Sequence, residues 1–268
     1  NVGTGKTVTI TSSYSGADVS NYSVTDQSST TANITAKSLT VSGITASDKT
    51  YDGSTSATLT GTAVYSGLVS GDIFTGSYTG AFSDKNVGTG KTVNITPSYS
   101  GADVNNYSVT DQSSTTADIS AKALTATASA SNKTYNATNS ASVTLTLSGL
   151  VGSETLGSTN TSTFNNKNVG TGKTVTVNSI TLADGSGLAA NYSISAGQTT
   201  TADITAKSLT VSNVSASNKT YDGTTTASMD GTSAVYSGLV NGDTFDGTYT
   251  GAFSDKNVGT GKTVTITS

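Results

Sequence analysis

The chain of 268 residues has no cysteine, no histidine and no tryptophan, and it has one proline and one methionine. Without cysteine it forms no disulfide and offers no thiolate to a metal. That absence also suits a long secreted chain that crosses compartments without cross-linking. Glu154 is the only glutamate, and with no histidine, no cysteine and no convincing carboxylate pair nothing supports nucleophilic or acid–base catalysis. No catalytic residue, cofactor-binding residue or metal ligand set is assigned, no cofactor is expected, and the protein is expected not to be an enzyme. Arginine is missing as well: all 13 basic residues are lysines, against 17 acidic residues, for a net charge of −4. With no lysine cluster, nucleic acid and anionic membrane surfaces are excluded as expected partners. No apolar run approaches the roughly 18 residues of a spanning helix, so no membrane insertion is expected in this region. No signal peptide is visible.

Valine, isoleucine, leucine and phenylalanine make up only about 18% of the chain, a level typical of disorder when charge is high. Here the net charge is low. Serine and threonine fill about 36%, and threonine is a β-branched residue that suits a pleated, half-buried surface. The good helix formers leucine, glutamate and arginine are scarce. The composition predicts an ordered all-β chain with thin cores and no helix.

What is present in abundance is repetition. The word NVGTGKTV begins at Asn1 and returns at Asn86, Asn168 and Asn257, at intervals of 85, 82 and 89 residues. A word recurring at a domain-sized interval marks a tandem array. The segment ITAKSLT (Ile34–Thr40, Ile119–Thr125 as ISAKALT, Ile204–Thr210) sets the boundaries. They give a partial repeat at 1–36, complete repeats at 37–121 and 122–206, and a truncated repeat at 207–268. The chain opens in mid-repeat, as a window cut from something longer would. The boundary has no Pro, Gly or Ser/Gly tract and alternates apolar and polar residues straight through, so a strand is expected on each side with a stiff, short connection.

Within repeat 37–121, Leu39–Val41 alternates and Gly43 interrupts as a bulge or bend. Asp52-Gly53 reads as a tight turn. Gly67–Asp72 is a loop with an apolar plug, Phe74, Tyr78 and Phe82 carry the aromatic content, and Tyr107, Val109, Ala117 and Ile119 close the repeat. Seven or eight short strands in 85 residues predict a small antiparallel sandwich. A parallel β-helix needs a period near 20 residues, which is absent. The expected architecture is therefore all-β: tandem small antiparallel β-sandwich (Ig-like) repeats arranged as an elongated rod. Repeat 122–206 diverges. It reads Tyr135-Asn136-Ala137 where the others have Tyr51-Asp52-Gly53 and Tyr221-Asp222-Gly223, and nothing in it matches Tyr78.

The words DKTYDG, GLVSGD, DKNVGTGK, NYS and TADITAK, in this order and spacing, resemble the YDG repeat domain of very large bacterial adhesins and haemagglutinin-like surface proteins. The related MBG repeats look similar. The resemblance covers the whole chain and transfers no catalytic motif. It implies tandem stalks or fibres, with secretion signal and anchoring or binding modules elsewhere in the polypeptide. Tyr135-Asn136-Ala137 departs from the naming motif and puts that turn in question.

Several motifs have two readings. GTGKT suggests a phosphate loop, which needs a glycine five residues before the Gly-Lys pair and a helix after it. Lys85, Lys167 and Lys256 stand there instead, and strand-like sequence follows. The word is read as a hairpin in which Gly88 and Gly90 supply the turn and Lys85 and Lys91 flank it. Asp103, Asn105 and Asn106, with Asp184, are candidate calcium ligands, although Asx turns account for them equally. Lys49 and Lys133, beside Tyr51 and Tyr135, are candidates for a Lys–Asn isopeptide bond, which would need a buried acid. Tyr51, Tyr65, Tyr78, Tyr99 and Tyr107 are read as core fillers over a sugar-stacking platform.

The expected function is mechanical: stalk or spacer repeats of a bacterial cell-surface adhesin or extracellular fibre, projecting a binding tip. The location is extracellular or at the cell surface, and the partners are the neighbouring repeats of the same polypeptide. Two other classes stand beside it: a glycan-binding adhesive module, and a self-assembling filament in which other copies complete the partial repeats by strand complementation.

Overall fold

A computed structural model describes residues 1–267; Ser268, the last residue of the truncated repeat, lies outside them. The chain is 49% strand and 3% helical, distributed over many small sheets. The helical part is three single 3₁₀ turns, Val19–Asn21, Val104–Asn106 and Ala189–Asn191, each immediately before a tyrosine (Tyr22, Tyr107, Tyr192).

Repeat 37–121 shows the arrangement in full. One sheet has five strands in the order Lys49–Thr50, Ser114–Ser120, Gly88–Ser100, Thr75–Phe82 and Ser56–Ala57. A second has three: Tyr107–Thr110, Lys37–Ser42 and Val64–Ser66. Thr45–Ala46 pairs separately with Leu59–Thr60. The strands break between Ser42 and Thr45, around the glycine that interrupts the alternation.

The pairing is not wholly antiparallel, contrary to the sequence expectation. Tyr107–Thr110 runs parallel to Lys37–Thr40, and Ile119–Ser120 runs parallel to Lys49–Thr50. A parallel pair needs a long crossover. The stretches between these strands supply it, so the first and last thirds of the repeat close onto each other. The core forms where the inward residues meet. Leu39, Phe74 and Tyr107 form one buried cluster, and Val41, Ile44 and Ile95 form another; Tyr65, Tyr99 and Val109 pack against both. Tyrosine does the work that leucine does in richer chains, and at least part of each ring named as a core filler is buried here.

The recurrent word is a hairpin arm, but its glycines do not make the turn. Ser83–Val87 makes it, with the Asp84 carboxylate accepting the Asn86 N–H at 2.8 Å and the Lys91 ammonium at 2.8 Å. Gly88 and Gly90 form a bulge inside the following strand, where the register slips between Gly88 and Lys91. Gly90 takes φ +58 there, and its N–H donates to Asp118 Oδ1 at 2.7 Å. Gly5 donates to Asn33, and Gly172 to Asp203, in the same way. The opening word and the TADI word are thus two sides of one bulge.

The molecule divides into two compact units that do not follow the repeats. The first holds Asn1–Leu124 with Gly149–Leu156 and Asp184–Ser193; the second holds Thr125–Ser148, Gly157–Ala183 and Ile194–Ser268. Two loops of repeat 122–206 therefore belong with the repeat before them. In the second unit, Phe164, Val175, Ala202 and Ile204 form the core, with Ala130, Tyr135, Ala141 and Val143 against it. Small residues replace the missing aromatic block.

Candidate interaction site at the repeat junctions

The first unit contains a junction built on Glu154, from the loop Val151–Glu154 of repeat 122–206. Its two carboxylate oxygens take three donors. Tyr192 of the same repeat donates to Oε2 at 2.6 Å. Tyr51 donates to Oε1 at 2.7 Å and Lys85 at 3.1 Å, both from repeat 37–121. Tyr51 is only 2% exposed, and its ring meets that of Tyr192 edge-on at 5.4 Å. The Lys85 ammonium lies 5.9 Å from the Tyr51 ring centre. The hydroxyl donors Tyr192 and Tyr51, followed by Lys85, hold the Glu154 carboxyl below its usual range. Burial, then the bond to Glu154, pushes the Tyr51 and Tyr192 hydroxyls up.

The turn Tyr51-Asp52-Gly53 divides its labour. Tyr51 reaches the next repeat. Asp52 stays home: its Oδ1 accepts the Ser54 N–H and the Lys49 ammonium, each at 2.8 Å. Gly53 has φ +80, and a Cβ there would stand 2.9 Å from Val151 Cγ1. Only a residue without a side chain lets the two repeats approach so closely.

The same geometry recurs in the second unit. Tyr135 donates to Asp243 Oδ1 at 3.0 Å, with the Lys167 ammonium 3.8 Å away. That bond to Asp243 raises the Tyr135 hydroxyl. The divergent turn is kept: Asn136 Oδ1 accepts the Thr138 N–H at 3.1 Å, and Ala137 adopts the left-handed φ of +62. At Asp72 the Tyr107 hydroxyl is again the donor from within the repeat.

A second contact accompanies the first. Val87 N–H donates to Asn191 Oδ1 at 2.9 Å, and Asn191 Nδ2 donates to Asn86 Oδ1 at 3.0 Å. Asn191 is a buried polar residue, 1% exposed. Val2 and Asn1 make the same pair of bonds with Asn106, at 2.9 and 3.3 Å. The first two letters of NVGTGKTV therefore bind the asparagine of the next repeat.

The remaining sequence candidates fall elsewhere. Asp103 Oδ2 accepts the Ile73 N–H at 2.9 Å, Asp184 Oδ1 accepts the Ala189 N–H at 2.7 Å, and Asn105 is exposed. Asp103 and Asp184 thus brace separate loops, and Asn106 is a junction residue. Among the described residues no group of three or more His, Cys, Asp or Glu could hold a metal ion. The Lys49 ammonium donates to Asp52 Oδ1 and to the Ser54 and Ser56 carbonyls, 5.4 Å from the Phe82 ring centre. Lys133 donates to the Thr138 and Ser140 carbonyls. The acid beside Lys49 is Asp52, whose side chain is 54% exposed, and the ammonium of Lys133 meets backbone carbonyls, so neither lysine has the buried acid an isopeptide bond needs beside it among its bonded partners. GTGKT itself opens a strand, Gly88–Ser100, that continues where a phosphate loop would need a helix.

Sequence reasoning read Tyr51 as core and Glu154 as solitary, and it missed their pairing. The signal was in the spacing: the two asparagine contacts each span 104 and 105 residues. That is one repeat plus about a quarter of the next, a separation that only an inter-repeat contact would fix.

A family model described as YDG domain matches residues 35–117, 120–202 and 205–268. No curated protein and no solved structure matches the chain.

Proposed function

The chain belongs to the YDG domain family, and from that membership we propose that it is a length of stalk or spacer from a bacterial cell-surface adhesin or extracellular fibre. The observation that carries this reading is the junction. The Tyr51 hydroxyl and the Lys85 ammonium of one repeat are both directed at an acid of the next. The arrangement recurs with Tyr135, Lys167 and Asp243. A domain that binds a soluble ligand has no need to invest its signature tyrosine in its neighbour. A domain whose task is to hold the next one in place does.

In this reading each repeat is a small Ig-like β-sandwich about 35–45 Å long, as strands of about 10 residues at 3.3 Å allow with turns added. The repeats stand in line as a rod, and the kinship extends to the MBG repeats and the haemagglutinin-like adhesins. Strand-to-strand connections and the paired asparagines resist bending. Ser, Thr and Gly faces keep the rod soluble outside the cell. The repeats carry no chemistry of their own; their partners are one another, and the protein is not an enzyme. Small-angle scattering of the 268-residue chain tests this: a cross-section one repeat wide and a maximum dimension near the summed repeat lengths support it. A near-spherical particle overturns it.

A further inference from the structure

The tripeptide Asn-x-Ser/Thr, with x other than proline, is the acceptor sequence for a sugar on the asparagine amide. In the two complete repeats it occurs at Asn94, Asn106, Asn132, Asn136, Asn160 and Asn191. The sequence alone does not rank these six, but the fold does. The amide nitrogens of Asn106 and Asn191 donate to Asn1 and Asn86 in the asparagine pairs. Asn160 Nδ2 donates to the Val143 carbonyl at 2.9 Å. Asn94 lies in the strand Gly88–Ser100, in register with Ala81 on one side and Ser114 on the other. Asn132 Oδ1 accepts the Asp203 N–H at 2.7 Å, and the threonine of its tripeptide, Thr134, is in register with Thr205. A transferase must draw the tripeptide into its own site, and a segment held in a sheet is offered only through local opening.

Asn136-Ala137-Thr138 is free of these restraints. It lies outside every strand, and both Asn136 and Thr138 are exposed. Asn136 Oδ1 accepts the Thr138 N–H at 3.1 Å and the Thr138 hydroxyl at 2.9 Å. Two donors on Oδ1 stabilise negative charge there, so the amide nitrogen gives up a proton more readily. Among the described residues Asn136 Nδ2 donates to no protein group.

The corresponding turns show what the asparagine changes. Asp52 and Asp222 accept the same two donors, from Ser54 and Thr224, and each also pairs with a lysine, Lys49 or Lys219, at 2.8 Å. Asn136 gives up that ion pair, and Lys133 donates instead to the Thr138 and Ser140 carbonyls. Asparagine therefore serves the turn no better than aspartate does. What it adds is an unpaired amide nitrogen two residues before a threonine.

We propose that Asn136 is a glycosylation site of the folded chain, with a nucleotide-activated sugar as donor. Nδ2 bonds to C1 of the sugar, and the bond from C1 to the diphosphate oxygen breaks, its electron pair leaving on the diphosphate. Nδ2 loses one proton to a base of the transferase, and nothing is oxidised or reduced. The divergent turn is thereby an attachment point for a sugar in the residue next to Tyr135, which makes the junction bond to Asp243.

The test uses the 268-residue chain, a purified asparagine glycosyltransferase that reads Asn-x-Ser/Thr, and UDP-glucose. An unrelated Asn-x-Thr peptide shows that the enzyme is active. Intact mass is expected to rise from 26.6 kDa by one hexose per site used, and peptide mapping to find the sugar on Asn136. A ready-made acceptor has an advantage over one drawn from a sheet or a buried pair, so the initial rate at Asn136 is expected to exceed that at the other five by about ten-fold or more. Thr138→Ser is expected to keep the modification and Thr138→Ala to lose it. Asn136→Asp, which restores the residue of the other turns, is expected to fold and to take no sugar there. Absence of sugar at Asn136 in the folded chain overturns the proposal. So does a rate there no higher than at Asn94 or Asn132, or modification of Asn136 that Thr138→Ala leaves unchanged.

Discussion

The Tyr51 hydroxyl and the Glu154 carboxylate meet at 2.7 Å although 103 residues separate them in the chain. The bond joins the signature turn of one repeat to the loop of the next. Hydrogen bonds to charged groups contribute about 1.5–3 kcal/mol when partly shielded. Tyr51→Phe is therefore expected to destabilise the chain by about 1–2 kcal/mol in urea unfolding. Tyr51→Phe and Glu154→Gln are expected to be non-additive, because each removes the same bond. Tyr221→Phe is the control: Tyr221 is exposed, and the change is expected to stay within about 0.5 kcal/mol. Equal effects at Tyr51 and Tyr221 would contradict the junction assignment.

Gly53 faces Val151 so closely that a methyl group on it would have to displace the valine. Gly53→Ala is expected to cost about 2–3 kcal/mol, from the positive φ and the overlap together. Gly71, also at positive φ, has nothing within 4 Å of an added Cβ. Gly71→Ala is expected to show only the backbone part, about 1–2 kcal/mol. Val151→Ala should relieve part of the Gly53→Ala penalty and none of the Gly71→Ala penalty. Thermal melts of the three single variants and the two double variants read the difference.

Asn191 satisfies the Val87 N–H from a buried position. Asn191→Ala removes the acceptor of that donor and the donor to Asn86 Oδ1, at a cost of about 1–3 kcal/mol. Amide exchange at Val87 is expected to accelerate in the variant. Unchanged exchange at Val87 would show that the bond does not hold the junction closed.

Glu154 gives the junction a defined response to acid. Its folded-state carboxyl titrates below the ordinary glutamate value of 4.5, so between the two values the unfolded chain binds more protons. This contribution is fully present above pH 4.5 and is lost as pH falls through the depressed folded value. The raised hydroxyls of Tyr51 and Tyr192 act at the other extreme. Unfolded tyrosine ionises near 10, so their contribution is present below that pH and is lost as pH climbs toward the folded values. The urea midpoint is expected to fall on both flanks, and Glu154→Gln should flatten the acid flank relative to wild type. A variant with an unchanged acid flank would place the acid sensitivity elsewhere.

Much of the fold was legible because strands declare themselves locally. The alternation through Leu39 and Val41 and the interruption at Gly43 each depend on neighbours in sequence, and each was read at the right place. The turn was misplaced by a few residues. Two glycines in GTG fit a turn and a bulge equally, and only the pairing of Gly88 with Ile119 and of Lys91 with Ala117, with the slip between them, separates the two. The parallel pairs were invisible for a related reason: alternation shows that a strand has an inner face, not which way its neighbour runs.

The junction was least legible. Tyr51 is apolar enough for a core and Glu154 is the only glutamate, and neither description points to a partner in another repeat. Asn106 was read as a metal ligand or a turn former, since an asparagine beside an aspartate in a loop looks the same in either role.

The sequence by itself determined that this is a tandem all-β array, what its repeating words are, and that its cores are thin and filled with tyrosine. Those properties follow from composition, period and local propensity, which act between residues close in the chain. The tertiary structure alone decided which words meet. Tyr51 finds Glu154, and Val87 finds Asn191, because packing brings the end of one repeat against the loops of the next. Burial there makes each unpartnered donor costly, and so selects those partners out of the many polar residues the sequence offers.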